Sequence, residues 1–185
     1  MGKAISSLGV ALLVKGYVIA TSDATRDADK IYYEKKTINS VDYYVVAKEE
    51  TAVGSLYEIC DSEESGAINA YVQPVCLTDV PEIGGEPSNL ETTTLCDGQK
   101  TYIQGILDAG ESLEFSANYN HSAFIAIKNY LKGKLPCKVV FGGIGGSQGS
   151  ASFDGYVNAK IGSFGVDEVV PMTIAITLAS EIIFA

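Results

Sequence analysis

The sequence predicts a mainly β fold of the α+β or sandwich kind, antiparallel strands with one α-helix laid against the sheet. Three observations carry that expectation. Apolar residues alternate with polar ones at period two in several separate segments, and only one stretch has helical spacing. Nineteen glycines and eleven tyrosines, with no tryptophan, lean toward strands joined by turns. At 185 residues, 46% of them apolar, the chain suits a single domain over residues 1–185 with enough material for a core.

The elements follow in order. Leu8, Val10, Leu12 and Val14 recur at period two, so Ser7 to Val14 reads as a strand, ended where Lys15 and Gly16 interrupt the apolar run. The same N-terminal segment loosely mimics a signal peptide and a myristoylation pattern, but its apolar run is short, and a strand of the mature protein is expected. Residues 21–30 are polar and loop-like. Ile31–Lys36 and Val41–Lys48 read as a tyrosine-rich hairpin around Thr37, Asn39 and Ser40. Residues 61–66 form an acidic turn, and Asn69–Gln73 is extended again. The whole of 20–74 is expected to be an elaborated hairpin and loop region.

From Thr78 to Gly110 the texture changes. Pro81, Gly84, Gly85, Pro87, Gly98, Gly105 and Gly110 interrupt any regular element, while Ile83, Leu90, Leu95, Tyr102 and Ile103 leave it something to pack with. Loops this long are uncommon in compact domains and are usually functional, so a long loop ordered against a neighbouring subunit is expected. A clean strand follows, with Leu113, Phe115, Ala117 and Tyr119 on one side. Phe124, Ile127 and Leu131 then place a helix over Ala123–Lys132, capped by Asn120 or Ser122 and closed by Gly133. Cys137–Phe141 is strand-like, and the glycine run 142–146 is expected to be a flexible hairpin tip. Two alternating strands, Ser152–Ile161 and Val170–Leu178, complete the chain.

Charge narrows the function. The net charge is -10 and no dense basic run stands out; the nearest are Lys35-Lys36 and the series Lys128, Lys132, Lys134, Lys138. Tight nucleic-acid binding and anionic membranes both draw on clustered cations, so neither is favoured. No window approaches the roughly 20 apolar residues of a membrane-spanning helix.

Candidate chemistry is sparse. GGIGGSQG fails GxGxxG because Gln148 stands at the third glycine position, and the Lys-Ser/Thr of a phosphate loop is missing. His121 has no nucleophile or carboxylate partner readable from sequence. Cys60, Cys76, Cys96 and Cys137 contain no CxxC pair, which argues against structural zinc and for reduced thiols. Cys96 lies beside Asp97, whose charge disfavours a reactive thiolate. Glu111 and Glu114 point to opposite faces of a strand, and Asp23, Asp27 and Asp29 miss the calcium-loop spacing. No catalytic residue, cofactor or metal is assigned, and an enzyme is not expected.

Several segments resemble the major tail, or tail tube, proteins of long-tailed bacteriophages. Pro81-Glu82-Ile83-Gly84-Gly85-Glu86-Pro87, Thr92-Thr93-Thr94-Leu95 and Lys100-Thr101-Tyr102-Ile103-Gln104-Gly105 are similar to that family's long loop. Ser112–Asn120 resembles its following strand, Gly165–Ile174 its C-terminal strand and Ala4–Val10 its N-terminal one. The resemblance covers most of 1–14 and 77–185, in order, and is weakest over 20–74.

It implies a β-sandwich or half-barrel subunit with a flanking helix, forming an inner β-barrel across subunits. Six copies would make a ring, and stacked homohexameric rings a virion tail tube, assembled in the host cytoplasm and used as a conduit for DNA delivery. The implied partners are further copies of the chain, a tape-measure protein in the lumen and tail terminator and distal tail proteins at the ends. Double-stranded DNA would pass without specific binding, and no membrane is involved. An acidic chain would give the lumen a negative lining. Candidate subunit contacts lie in the N-terminal arm (Ile5, Leu8, Val10) and the long loop (Pro81, Ile83, Gly84, Gly85, Pro87, Leu95, Tyr102, Ile103, Gly105). Two other readings compete, a secreted carbohydrate-binding or adhesin β-sandwich and the tube protein of a contractile injection device.

Overall fold

The computed structural model describes residues 9–21, 25–27, 29–93, 99–100, 102–108 and 112–185, with side chains placed except at 86–90 and 103–108. The fold is mostly β with one helix, as the alternation predicts. Its first unit is a closed five-strand barrel. The strands are β1 (Ala11–Ala20), β2 (Tyr33–Ile38), β3 (Val41–Val46), β4 (Leu56–Cys60) and β5 (Ile68–Val72). Round the barrel the order is β1, β5, β3, β2, β4 and back to β1, with only the β3–β5 pair parallel.

Strand β1 does not stop at Lys15 and Gly16 as the sequence suggests; it runs on to Ala20. One of its edges changes partner there. Val14 lies between Val72 of β5 and Cys137 of a later strand, whereas Tyr17 lies between Asn69 of β5 and Cys60 of β4. Gly16 sits at the changeover, where an added Cβ would stand 2.7 Å from Leu131 Cδ2. The glycine that looked like a strand breaker is thus the residue that lets the end of the helix approach the strand.

The β2–β3 hairpin is where the sequence places it. Asn39 and Ser40 both have positive φ, 51° and 65°, the pattern of a two-residue turn whose twist matches the strands. Lys35 and Asp42 close it with a 2.7 Å ion pair. Residues 20–74, expected as a hairpin and loop elaboration, therefore contribute four of the five barrel strands.

A second unit extends from β1. It comprises β6 (Leu77–Asp79), β9 (Ser112–Asn118), β10 (Lys134–Val140), β11 (Ser150–Ile161), β12 (Pro171–Leu178) and the short β13 (Ile183–Phe184). From β1 the order is β10, β11, β12, β9, β6, with β13 on β11. The helix α1 (His121–Tyr130) begins at Asn120, whose side-chain oxygen accepts the Ala123 N–H at 3.0 Å. It buries Ala123, Ala126 and Ile127.

One apolar core runs through both units. Val18, Tyr33, Tyr44 and Val72 come from the barrel, and Phe115, Phe153, Ile174 and Ile176 from the sheet, with Ile127 and Leu131 between them. The Tyr33 hydroxyl satisfies itself by donating to the Pro74 carbonyl at 2.9 Å. A smaller cluster, Ala11, Leu13, Tyr43, Val45 and Val140, lies on the other face of β1. Ile38, Tyr71 and Ile144, the last from the glycine run, pack over it. Rather than a free tip, this loop packs: the Gly143 N–H donates to the Gly9 carbonyl at 2.8 Å, and a Cβ on Gly145 would meet Ile38 at 2.9 Å.

Candidate assembly surface

Sequence reading gives Thr78–Gly110 no regular element, and here the structure corrects it. After β6 the chain leaves the sheet, forms β7 (Glu86–Glu91) and β8 (Tyr102–Asp108), and returns as β9. The two strands pair antiparallel, Glu86 opposite Asp108 and Glu91 opposite Tyr102, with a register irregularity between Pro87 and Asn89. That irregularity explains the misreading, because a proline and interspersed glycines are tolerated in a two-stranded ribbon with open edges. Among the described residues this ribbon hydrogen-bonds to no other strand. It is an arm that springs from the β6–β9 edge.

Next to the arm the main sheet has an open edge. Only Ala117 and Ser116 of β9 pair with β6, at Leu77 and Asp79, so the outer edge from Ser112 to Phe115 has no strand partner among the described residues. Such an edge presents unpaired backbone donors and acceptors to a second chain.

The residues singled out from sequence separate into groups. Ile5, Leu8 and Leu95 lie outside the described residues. Val10 and Ile83 are half-buried and pack on the chain's own core, which ties the two ends of the surface to the body. Pro81 is half-buried and Gly85 exposed in the link from β6 to the arm, and Gly84 there has φ of 137°, beyond the reach of most side chains. Pro87, Ile103 and Gly105 are on the backbone of the arm, and Tyr102 is 53% exposed at the start of β8.

The face of the sheet turned away from the core is polar. Over β9, β12 and the second half of β11 it carries Glu114, Ser116, Thr173, Thr177, Asn158 and Lys160, interrupted by Ala175 and the half-exposed Tyr156, while Leu113, Phe115, Ile174 and Ile176 point inward. Its charges pair across strands: Lys160 with Glu114 and Lys134 with Asp154, each at 3.2 Å.

Comparison with protein-family models and with curated proteins gives no match to this sequence. The function must be read from the geometry.

That geometry offers little reactive chemistry among the described residues. His121 stands exposed at the helix start, its Nδ1 3.0 Å from the Tyr119 hydroxyl. No group of three or more His, Cys, Asp or Glu side chains converges as a metal would require. Burial pushes the Cys60 thiol up to about 11 and the Cys137 thiol to about 12, so both remain protonated at neutral pH and behave as small apolar groups. Cys76 is exposed and its thiol is also raised by burial of the sulfur. No helix among the described residues is long and apolar enough to cross a membrane.

Sequence reasoning missed one exposed feature, the turn between β11 and β12. Phe164, Val166 and Val169 stand out from it, Val166 being 92% exposed. The signal was present in the string: apolar residues set inside a glycine-punctuated, acidic turn rather than in a strand.

Proposed function

We propose that this chain is the building block of a hollow homomeric assembly, the tail tube of a long-tailed bacterial virus. The observation that carries the reading is the β7–β8 arm. An isolated two-stranded hairpin is marginally stable in water at best. An arm that pairs only with itself among the described residues, beside an unpaired stretch of β9, is suited to being completed by another copy. The arm is also the segment whose residues resemble the long loop of tail tube proteins.

On this reading the subunit is a sandwich-like or half-barrel body whose sheet continues into the next subunit, six to a ring. The polar face of β9, β12 and the second half of β11 lines the lumen, where the tape-measure protein and later DNA would pass. The expected negative lining is then replaced by a nearly neutral one, because Lys160 and Glu114 cancel as a pair. A surface with paired charges and hydroxyls gives a passing polyanion neither strong attraction nor strong repulsion.

Negative-stain microscopy of the purified chain tests the reading. Rings or tubes are expected as concentration rises. A chain that sediments as a monomer at millimolar concentration overturns it.

A further inference from the structure

The turn over residues 162–170 carries the two most exposed large apolar side chains of the described residues, Val166 at 92% and Val169 at 72%, and beside them Phe164 at 56%. Asp167 and Glu168 stand between the valines. The turn has a defined shape. The Glu168 carboxylate accepts the Gly165 N–H at 2.7 Å, and Asp167 has φ of 66°, a left-handed conformation that aspartate tolerates better than most residues. The result is a knob with apolar flanks and an acidic centre.

Elsewhere a cleft of about 540 Å³ opens where β1 leaves β10 for β4, lined among others by Lys15, Lys132, Lys134, Tyr17, Tyr130 and Pro136. Three lysines meet here in a chain of net charge -10. Lys134 is held by Asp154. Lys15 and Lys132 have neither an ion pair nor a hydrogen bond among the described residues. Asp61 also lines the cleft, with its Oδ1 engaged by the Ser62 hydroxyl and the Glu63 N–H. The cleft therefore keeps an excess of positive charge beside two tyrosine rings.

Within one copy the two features lie apart. Lys134 is opposite Tyr156, and the turn begins only after Ile161. At about 3.3 Å per residue the knob starts roughly 17 Å further along β11.

We propose that the 162–170 knob of one copy docks in the lysine cleft of the next. Asp167 and Glu168 face Lys15 and Lys132, and Val166 and Phe164 cover the rings of Tyr17 and Tyr130. The proposal rests on the self-assembling reading above and names one of its contacts. Because knob and cleft are different patches, the contact is head-to-tail and propagates to a closed ring or a filament. Its ionic part weakens as salt shortens the screening length to about 8 Å at physiological strength.

Sedimentation velocity and negative stain on three 185-residue chains test it: wild type, Val166→Lys and Lys132→Glu. Both positions are exposed, so thermal melts by circular dichroism should coincide, and Lys132→Ser serves if Lys132→Glu does not fold. Each variant alone should need at least about tenfold more protein to assemble. Mixed in equal amounts, the two should form a heterodimer, the intact knob of one in the intact cleft of the other. Assembly of both variants at the wild-type concentration overturns the knob contact while leaving the tube reading in place. So does a mixture that behaves as the sum of its parts, or binding of inorganic phosphate to the cleft with assembly unchanged by Val166→Lys. A wild-type chain that never assembles overturns both.

Discussion

Each strand of the β1–β5 barrel has both edges engaged inside the chain, whereas β7 and β8 each have one edge engaged and one open among the described residues. The two regions are both built of β-strands paired mainly antiparallel. They differ in where their hydrogen bonds end. Closing a sheet on itself removes the edge through which strands aggregate, and the barrel does this without a partner. The arm leaves its edges available. On the proposed assembly the chain divides its labour, with stability residing in the barrel and association at the arm and the adjoining β9 edge.

The sharpest way to break that comparison is to damage each region in turn. Tyr44 is fully buried in the barrel and stacks edge-on to Tyr57 at 4.8 Å. Tyr44→Ala should cost about 3–5 kcal/mol, enough to unfold a substantial fraction of a marginally stable domain. Replacing residues 86–108 by a short Gly-Ser linker should shift the melting temperature by only a few degrees while abolishing rings and tubes. If the excision unfolds the body as Tyr44→Ala does, the arm is part of the core and the division fails. Denaturant midpoints and microscopy on the same samples decide it.

Smaller effects test whether the sheet unit is as closely packed as the barrel. A Cβ on Gly155 of β11 would fall 2.5 Å from Ile176 Cγ2 and 2.9 Å from the Thr177 carbonyl oxygen. Gly155→Ala should therefore destabilise by about 1–3 kcal/mol, since backbone stands in the way as well as a side chain. Asn120→Ala removes the helix cap and should cost about 1 kcal/mol. Chemical denaturation of both variants checks the order. A Gly155→Ala chain as stable as wild type would mean that β11 and β12 can part freely, and the sheet would then join the arm as a soft region.

How much of this was legible in the string depends on what fixed each element. Strands β9, β11 and β12 alternate because one face is buried and the other is wet, and period two records that directly. The helix announced itself through Phe124, Ile127 and Leu131 and through Asn120, with its bounds shifted by two residues. The barrel was illegible as a barrel. Closure depends on β1 changing partners at Gly16, and nothing local to Lys15-Gly16 says that a glycine is making room for Leu131. The arm was misread because Pro87 and the glycines of 98–110 argue against central strands but not against a two-stranded ribbon. Of the assembly surface, the string offered the arm and the N-terminal segment. The knob at Phe164–Val169 was there to be read as exposed apolar residues in an acidic turn, but the lysine cleft was not, because it joins Lys15, Tyr130 and Lys132, which are far apart in sequence.

The finest test concerns how the barrel is held at its rim. The Thr51 hydroxyl donates to Glu34 Oε2 at 2.6 Å, and Lys36 lies 3.1 Å from the other carboxylate oxygen. The Thr51 hydrogen bond, with the Lys36 charge adding to it, holds the Glu34 carboxyl below the usual carboxylate range. A carboxyl lowered in the folded state contributes stability that is present above its unfolded value and disappears as pH falls through the folded one. Thr51→Val should accordingly cost about 1 kcal/mol at neutral pH. That difference should shrink toward zero as the pH drops below about 4. Urea unfolding of wild type and variant between pH 3 and 7 gives the two curves. Parallel curves across that range would mean that Thr51 acts through packing alone, and the barrel rim would owe its order to the tyrosine core beneath it rather than to this charged hydrogen bond.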